Sequence, residues 1–172
     1  MENLSKESNL KMIADLSNAM GVSGFEDQVV DKARSYSEGL GRIKEDTLRN
    51  LFIYRKENTG GRPVVQLDAH SDEVGFMVQA IRPNGCLQII PLGSWITCNI
   101  PGTKVWVRNG DGEYIPGIVG SKPPHYMSEH ERKSAPEFGQ LFVDIGDGSM
   151  EEAVRDFKIR IGEPIVPFAE FS

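Results

Sequence analysis

The sequence predicts an α/β layer followed by a small all-β domain, on three observations. Two stretches with helical apolar spacing open the chain. An unbroken apolar run from Pro63 to Ala69 reads as a strand buried on both faces. After Gly75, short alternating runs are separated by Gly-rich turns, the texture of a small barrel or sandwich.

Residues 8–20 read as a helix because Leu10, Ile13, Leu16 and Met20 fall on one face, and Gly21 ends it. Ser23 and Glu26 have the spacing of a capping box, with Ser23 as N-cap. The helix they open carries Val29, Val30, Ala33, Tyr36 and Leu40 on its apolar face, and Gly39 and Gly41 stop it. The period changes at Ile43. Leu51–Tyr54 is a strand, preceded by a turn at Asp46–Asn50. Two helices followed by strands of this kind suggest an α/β layer.

The expected β domain begins with Phe76–Ile81, turns at Pro83-Asn84-Gly85 and returns along Leu87–Leu92. Thr103–Arg108, Tyr114–Gly120 and Gln140–Ile145 are further strands, with a sharp turn at Asn109–Gly112. Ser121–Phe138 reads as a long exposed loop. Ser149-Met150-Glu151-Glu152 is a second capping box, opening a short helix. Ile159–Val166 is a last strand that returns from the β domain.

Composition narrows the function. With 172 residues, 39% hydrophobic and 26% charged, the chain suits a soluble globular protein. A formal net charge of −6 argues against a nucleic-acid partner, and no apolar run has the length of a membrane span. The first residues lack the pattern of an export signal, so the expected compartment is the cytoplasm. Cys86 and Cys98 are then free thiols, without the spacing of a zinc motif.

The chemistry gathers in Asp68-Ala69-His70-Ser71-Asp72-Glu73, a charged knot between two apolar runs. In extended chain His70 and Asp72 point to the same face. There the carboxylate can orient the imidazole, or both can hold a metal. A buried histidine is more often a satisfied core residue than a ligand. Here the pair follows a buried strand, where α/β proteins place their sites, and no helical period explains the charges. Asp68 and Glu73 are read as turn or ion-pair residues. His125 and His130 are read as parts of an ordered loop, since Pro123 and Pro124 rule out a helical spacing between them. Asp144-Ile145-Gly146-Asp147-Gly148 is too short for a calcium loop and reads as a strand end before an N-cap. Trp95 and Trp106 are core or interface. Neither a Gly-x-Ser-x-Gly nucleophile turn nor a phosphate-binding loop is present.

Five motifs occur in a fixed order: Gly21-Val22-Ser23-Gly24-Phe25-Glu26, Ala69-His70-Ser71-Asp72-Glu73-Val74-Gly75-Phe76, Gly117-Ile118-Val119-Gly120-Ser121-Lys122-Pro123-Pro124-His125, Val143-Asp144-Ile145-Gly146 and Ser149-Met150-Glu151-Glu152-Ala153. The set resembles the glutamyl or tetrahedral aminopeptidases, dinuclear metallo-aminopeptidases some of whose members are labelled cellulases or endoglucanases. The resemblance implies a catalytic α/β domain interrupted by a PDZ-like all-β barrel used in oligomerisation. On this chain the division falls at 1–74, 75–160 and 161–172, the last being the return strand to a truncated catalytic layer. It also implies two divalent metals per complete site, zinc or cobalt, activating a water against peptide bonds. His70 matches a metal ligand. Asp72 matches the catalytic-site carboxylate that orients it. The family's other ligands and its general base lie beyond the inserted barrel, and this sequence stops as it leaves that barrel. The chain alone is therefore expected to be inactive: a truncation, a fragment, or one half of a site completed by a second chain. Peptide substrates and a homo-oligomer are the expected partners. A non-catalytic oligomerisation module and an endoglucanase-type glycan hydrolase are the alternatives.

Overall fold

Ser5 opens the first helix: its hydroxyl accepts the Ser8 amide at 3.1 Å, and α1 runs Lys6–Ser17. The structure, a computed structural model, describes residues 5–61 and 63–172. The chain divides into two units, one reaching to Asp72 and resumed by Ala169–Ser172, the other Glu73–Phe168.

In the first unit α2 spans Asp27–Tyr36 and buries Val30. The two helices are tied by the Tyr36 hydroxyl, which donates to Asp15 at 2.6 Å. The expected capping box at Ser23 is not formed. Glu26 turns back to accept the Gly24 amide at 2.8 Å, Gln28 accepts the Met20 amide at 3.2 Å, and Glu26 itself is the N-cap. Two side chains stitch the joint, so the hydroxyl is not needed. The helix also stops short of Leu40, because Ser37 bonds back to the Ala33 carbonyl at 2.7 Å and Gly39 takes a left-handed φ of +78°.

β1 (Gly41–Glu45) and β2 (Leu51–Arg55) form an antiparallel hairpin with Ile43 opposite Ile53. Asp46 builds its turn, accepting the amides of Leu48 and Asn50 at 2.9 and 3.0 Å. Arg49 pins the turn to α2 through Asp27 at 2.7 Å.

The segment after Pro63 corrects the sequence reading. It pairs with no strand among the described residues, and Val65 and Leu67 are 83% and 94% exposed. Apolar content gives a run the capacity to be a buried strand; a ladder partner and a covering layer make it one. The described residues supply neither. The unit has one two-stranded antiparallel sheet in place of the expected layer.

The second unit is a closed barrel in the order β3-β4-β7-β6-β5-β8. Its strands are β3 (Gly75–Ile81), β4 (Leu87–Leu92), β5 (Lys104–Arg108), β6 (Tyr114–Gly120), β7 (Phe142–Asp144) and β8 (Pro164–Pro167). Alternation decides what points inward: Leu87 and Ile89 from β4, Val105 and Val107 from β5. Trp95 closes on this core, stacked on Phe76 at 4.6 Å, with its indole N–H donating to the Gly75 carbonyl at 3.0 Å. Trp106, on the other face of β5, lies against Phe168 at 5.5 Å.

Two further expectations change here. Residues 164–167 are a stave of the barrel, paired with both β3 and β5, so the barrel continues past residue 160 to Phe168. And Ser121–Phe138 is not wholly irregular. It contains α3 (Glu129–Lys133), opened by a complete capping box in which Ser128 and Glu131 exchange bonds of 3.2 and 2.6 Å. At the far side of β7, Ser149 caps α4 (Met150–Arg155) by accepting the Glu152 amide at 3.2 Å, but the expected box is only half formed, since the Glu152 carboxylate takes the Gly148 amide at 2.9 Å; Ala153 enters the core.

Candidate metal site

The residues around His70 are placed by close packing from the joint between α1 and α2. Gly21 has no room for a side chain: a Cβ there would run into Val29, and the Ser71 carbonyl lies 3.6 Å from where it would be. Val22 is fully buried beside it. The chain next to His70 thus lies against a tight turn rather than in a sheet.

His70 and Asp72 are brought together, as their spacing predicts. Nδ1 of His70 is 2.9 Å from the Asp72 carbonyl oxygen and 3.2 Å from the Asp72 carboxylate. Both oxygens can only accept, so the neutral ring carries its proton on Nδ1. The Nε2 lone pair then faces away from Asp72. The imidazole is 85% exposed and Asp72 38% exposed, so His70 is not a core histidine and its Nε2 is open to solvent.

A divalent metal suits such a nitrogen, but a catalytic zinc takes about three protein ligands. Among the described residues no group of three or more His, Cys, Asp or Glu gathers to hold an ion. The donors here fit one corner of a metal centre and not a complete one, and no catalytic step follows from them alone. Asp68 is exposed and Glu73 half-buried. His125 and His130 are exposed in the Ser121–Phe138 segment. Asp144 accepts the Gly146 amide at 2.8 Å, a turn and not a calcium loop. Cys86 and Cys98 are free thiols, and burial, then Asp144 and Asp147, pushes the Cys86 thiol up.

Two groups escaped the sequence reading. Glu131 holds Lys122 at 2.8 Å and the Ser128 amide, which together bring its carboxyl down to about 2. The Ser-x-x-Glu spacing was its signal. Asp147 has both carboxylate oxygens buried, and no spacing announces that.

The model of the M42 glutamyl aminopeptidase family matches residues 50–172. The chain belongs to the M42 glutamyl aminopeptidase family. Its M42 relatives include the glutamyl aminopeptidase of Lactococcus lactis, 31% identical over 158 residues, which are 90% of this chain and 44% of that protein. The TET aminopeptidase of a marine sediment Thaumarchaeota archaeon superposes with a TM-score of 0.89 at 36% identity, covering 98% of this chain and 46% of that one. A Thermotoga maritima protein named endoglucanase superposes with a TM-score of 0.72 at 30% identity, over 93% of this chain and 45% of its own. The chain spans about half the length of the curated relatives it matches.

Proposed function

We propose that this chain is the N-terminal share of a metal-dependent M42 aminopeptidase that releases N-terminal residues from peptides. The observation that carries the reading is the His70–Asp72 pair, with Nδ1 held and Nε2 presented, in a chain of this family. His70 would supply one ligand to zinc or cobalt, and Asp72 would fix its ring. A bound metal pair would activate a water against the peptide carbonyl. The remaining ligands and the general base come from polypeptide outside these residues, in a second chain or a continuation of this one. The closed barrel is the PDZ-like module, and copies of the chain associate through it. The two free thiols suit the reducing cytoplasm, where we place the protein.

The test is release of p-nitroaniline from aminoacyl-nitroanilides by the purified chain with zinc or cobalt. The expected result is none. Metal-dependent release by these residues alone would overturn the half-site. A parallel cobalt titration followed by NMR is expected to broaden the His70 ring, an effect lost in His70→Ala. Equal broadening at His125 and His130 with none at His70 would favour a barrel module without metal chemistry. A glycan hydrolase would need two carboxylates flanking a sugar cleft, and activity on carboxymethylcellulose but not on peptides would favour that reading.

A further inference from the structure

Asp147 lies between β7 and α4, outside anything the peptidase reading uses. Both its carboxylate oxygens are buried, and neither accepts a hydrogen bond from another described residue. The carboxylate lies against Gly85, at the tip of the β3–β4 hairpin, so closely that any side chain at Gly85 would run into it. Gly85 holds a left-handed φ of +89°, and its amide closes the turn on the Arg82 carbonyl at 2.9 Å. One further bond joins the same two elements: the Met150 amide, the first of α4, donates to the Pro83 carbonyl at 3.2 Å.

The charges facing this carboxylate are unfavourable. Asp144 on β7 and Glu152 on α4 both repel it, and Cys86, just before β4, adds a thiol that burial pushes up. The hairpin's Arg82 lies over the Phe142 ring, 5.5 Å from its centroid. Glu152 is engaged with the Gly148 amide at 2.9 Å and Asp144 with that of Gly146 at 2.8 Å, so both are held as acceptors. A buried, unpaired carboxylate is costly when ionised and far less so when neutral.

We propose that Asp147 is a proton-operated clasp between the hairpin tip and the start of α4. With a proton on it, the segment Gly146–Ser149 stays shut over Gly85 and the Met150–Pro83 bond persists. Ionised, the carboxylate is drawn out to water, and the start of α4 loosens with it. Burial pushes the closed-state carboxyl above the ordinary Asp range, its own amide opposes, and Asp144 and Glu152 add to the rise. The sign follows: closure is favoured in acid, and is lost as pH climbs from the ordinary Asp value through the raised one. Met150 and Val154, both exposed on α4, are the apolar side chains whose presentation changes.

The experiment is NMR on the intact chain: carboxyl titration of Asp147 with amide exchange at Met150 across the same pH range. The protection of Met150 is expected to fall as Asp147 ionises, by about tenfold for each unit that closure raises its pKa. The Val78 amide, bonded to the Glu163 carbonyl in the barrel wall, is expected to stay flat and so excludes global unfolding. Asp147→Asn, which has no charge to lose, is expected to abolish the pH dependence at Met150. Glu152→Gln, which keeps an acceptor for Gly148, is expected to move the midpoint down. An Asp147 that titrates in the ordinary range overturns the clasp. So does Met150 protection that ignores pH, or a wild-type slope persisting in Asp147→Asn. If Asp147→Asn does not fold, an unmoved midpoint in Glu152→Gln overturns it equally.

Discussion

His70 has two acceptors on Nδ1, the carbonyl and the carboxylate of the same residue. Asp72→Ala removes only the second. The neutral ring is therefore expected to keep its proton on Nδ1 in this variant, with a looser ring. Zinc affinity should fall less than the roughly 10- to 100-fold typical of losing an orienting partner. Long-range 15N correlation spectra read the tautomer directly, and an Nε2-protonated ring in the wild type would sink the assignment. The carboxylate half of this arrangement was legible in the sequence, because residues two apart in extended chain share a face. The carbonyl half was not. It depends on how the backbone turns at Ser71, and a residue list does not record that. Asp147 escaped for a related reason: burial is a property of what folds over a side chain, here Gly85.

Among the elements, α3 makes the clearest statement about pH. Glu131 is held by Lys122 and then by the Ser128 amide, and its carboxyl sits at about 2. Its pKa is depressed in the folded state, so its contribution is fully present above the ordinary Glu range and is lost as pH falls toward 2. The Ser128 amide is expected to lose exchange protection over that acid window, while Glu131→Gln shows no such step. In the barrel, Phe76 stacks on Trp95 and lies 5.9 Å from Phe138, so Phe76→Ala is expected to cost about 3–5 kcal/mol. Urea unfolding followed by Trp fluorescence measures it, and a loss below about 1 kcal/mol would show that the site collapses around the gap. Sequence alternation found most barrel strands because each has one wet and one dry face, and that contrast is written in the residues. It missed β1 and overcalled Pro63–Ala69. An apolar run is equally compatible with a paired strand and with an unpartnered one.

At the scale of the molecule, the exposed run Val64, Val65 and Leu67 is the feature most out of keeping with a finished surface. Apolar chain with open backbone donors and acceptors invites pairing with another copy. The isolated chain is expected to self-associate in light scattering as concentration rises, and Val65→Lys with Leu67→Lys to reduce it. A monodisperse monomer at high concentration would show that the run is tolerated as it stands. The two-part division could be sensed from the change of texture at Gly75, but the strand order could not. Hairpins announce themselves locally, whereas the neighbours of β8 are chosen by a closure that no short window contains. That closure has a consequence in time. β8 sits between β3 and β5, so two edges stay open until the last stave has been made. Synthesis runs at about 5–20 residues per second, so a growing chain spends seconds with β3 and β5 unpaired on those sides. During that interval the nascent barrel is most exposed to chaperones and to its own neighbours on the ribosome. A codon-level pause just before Pro164 would lengthen that interval.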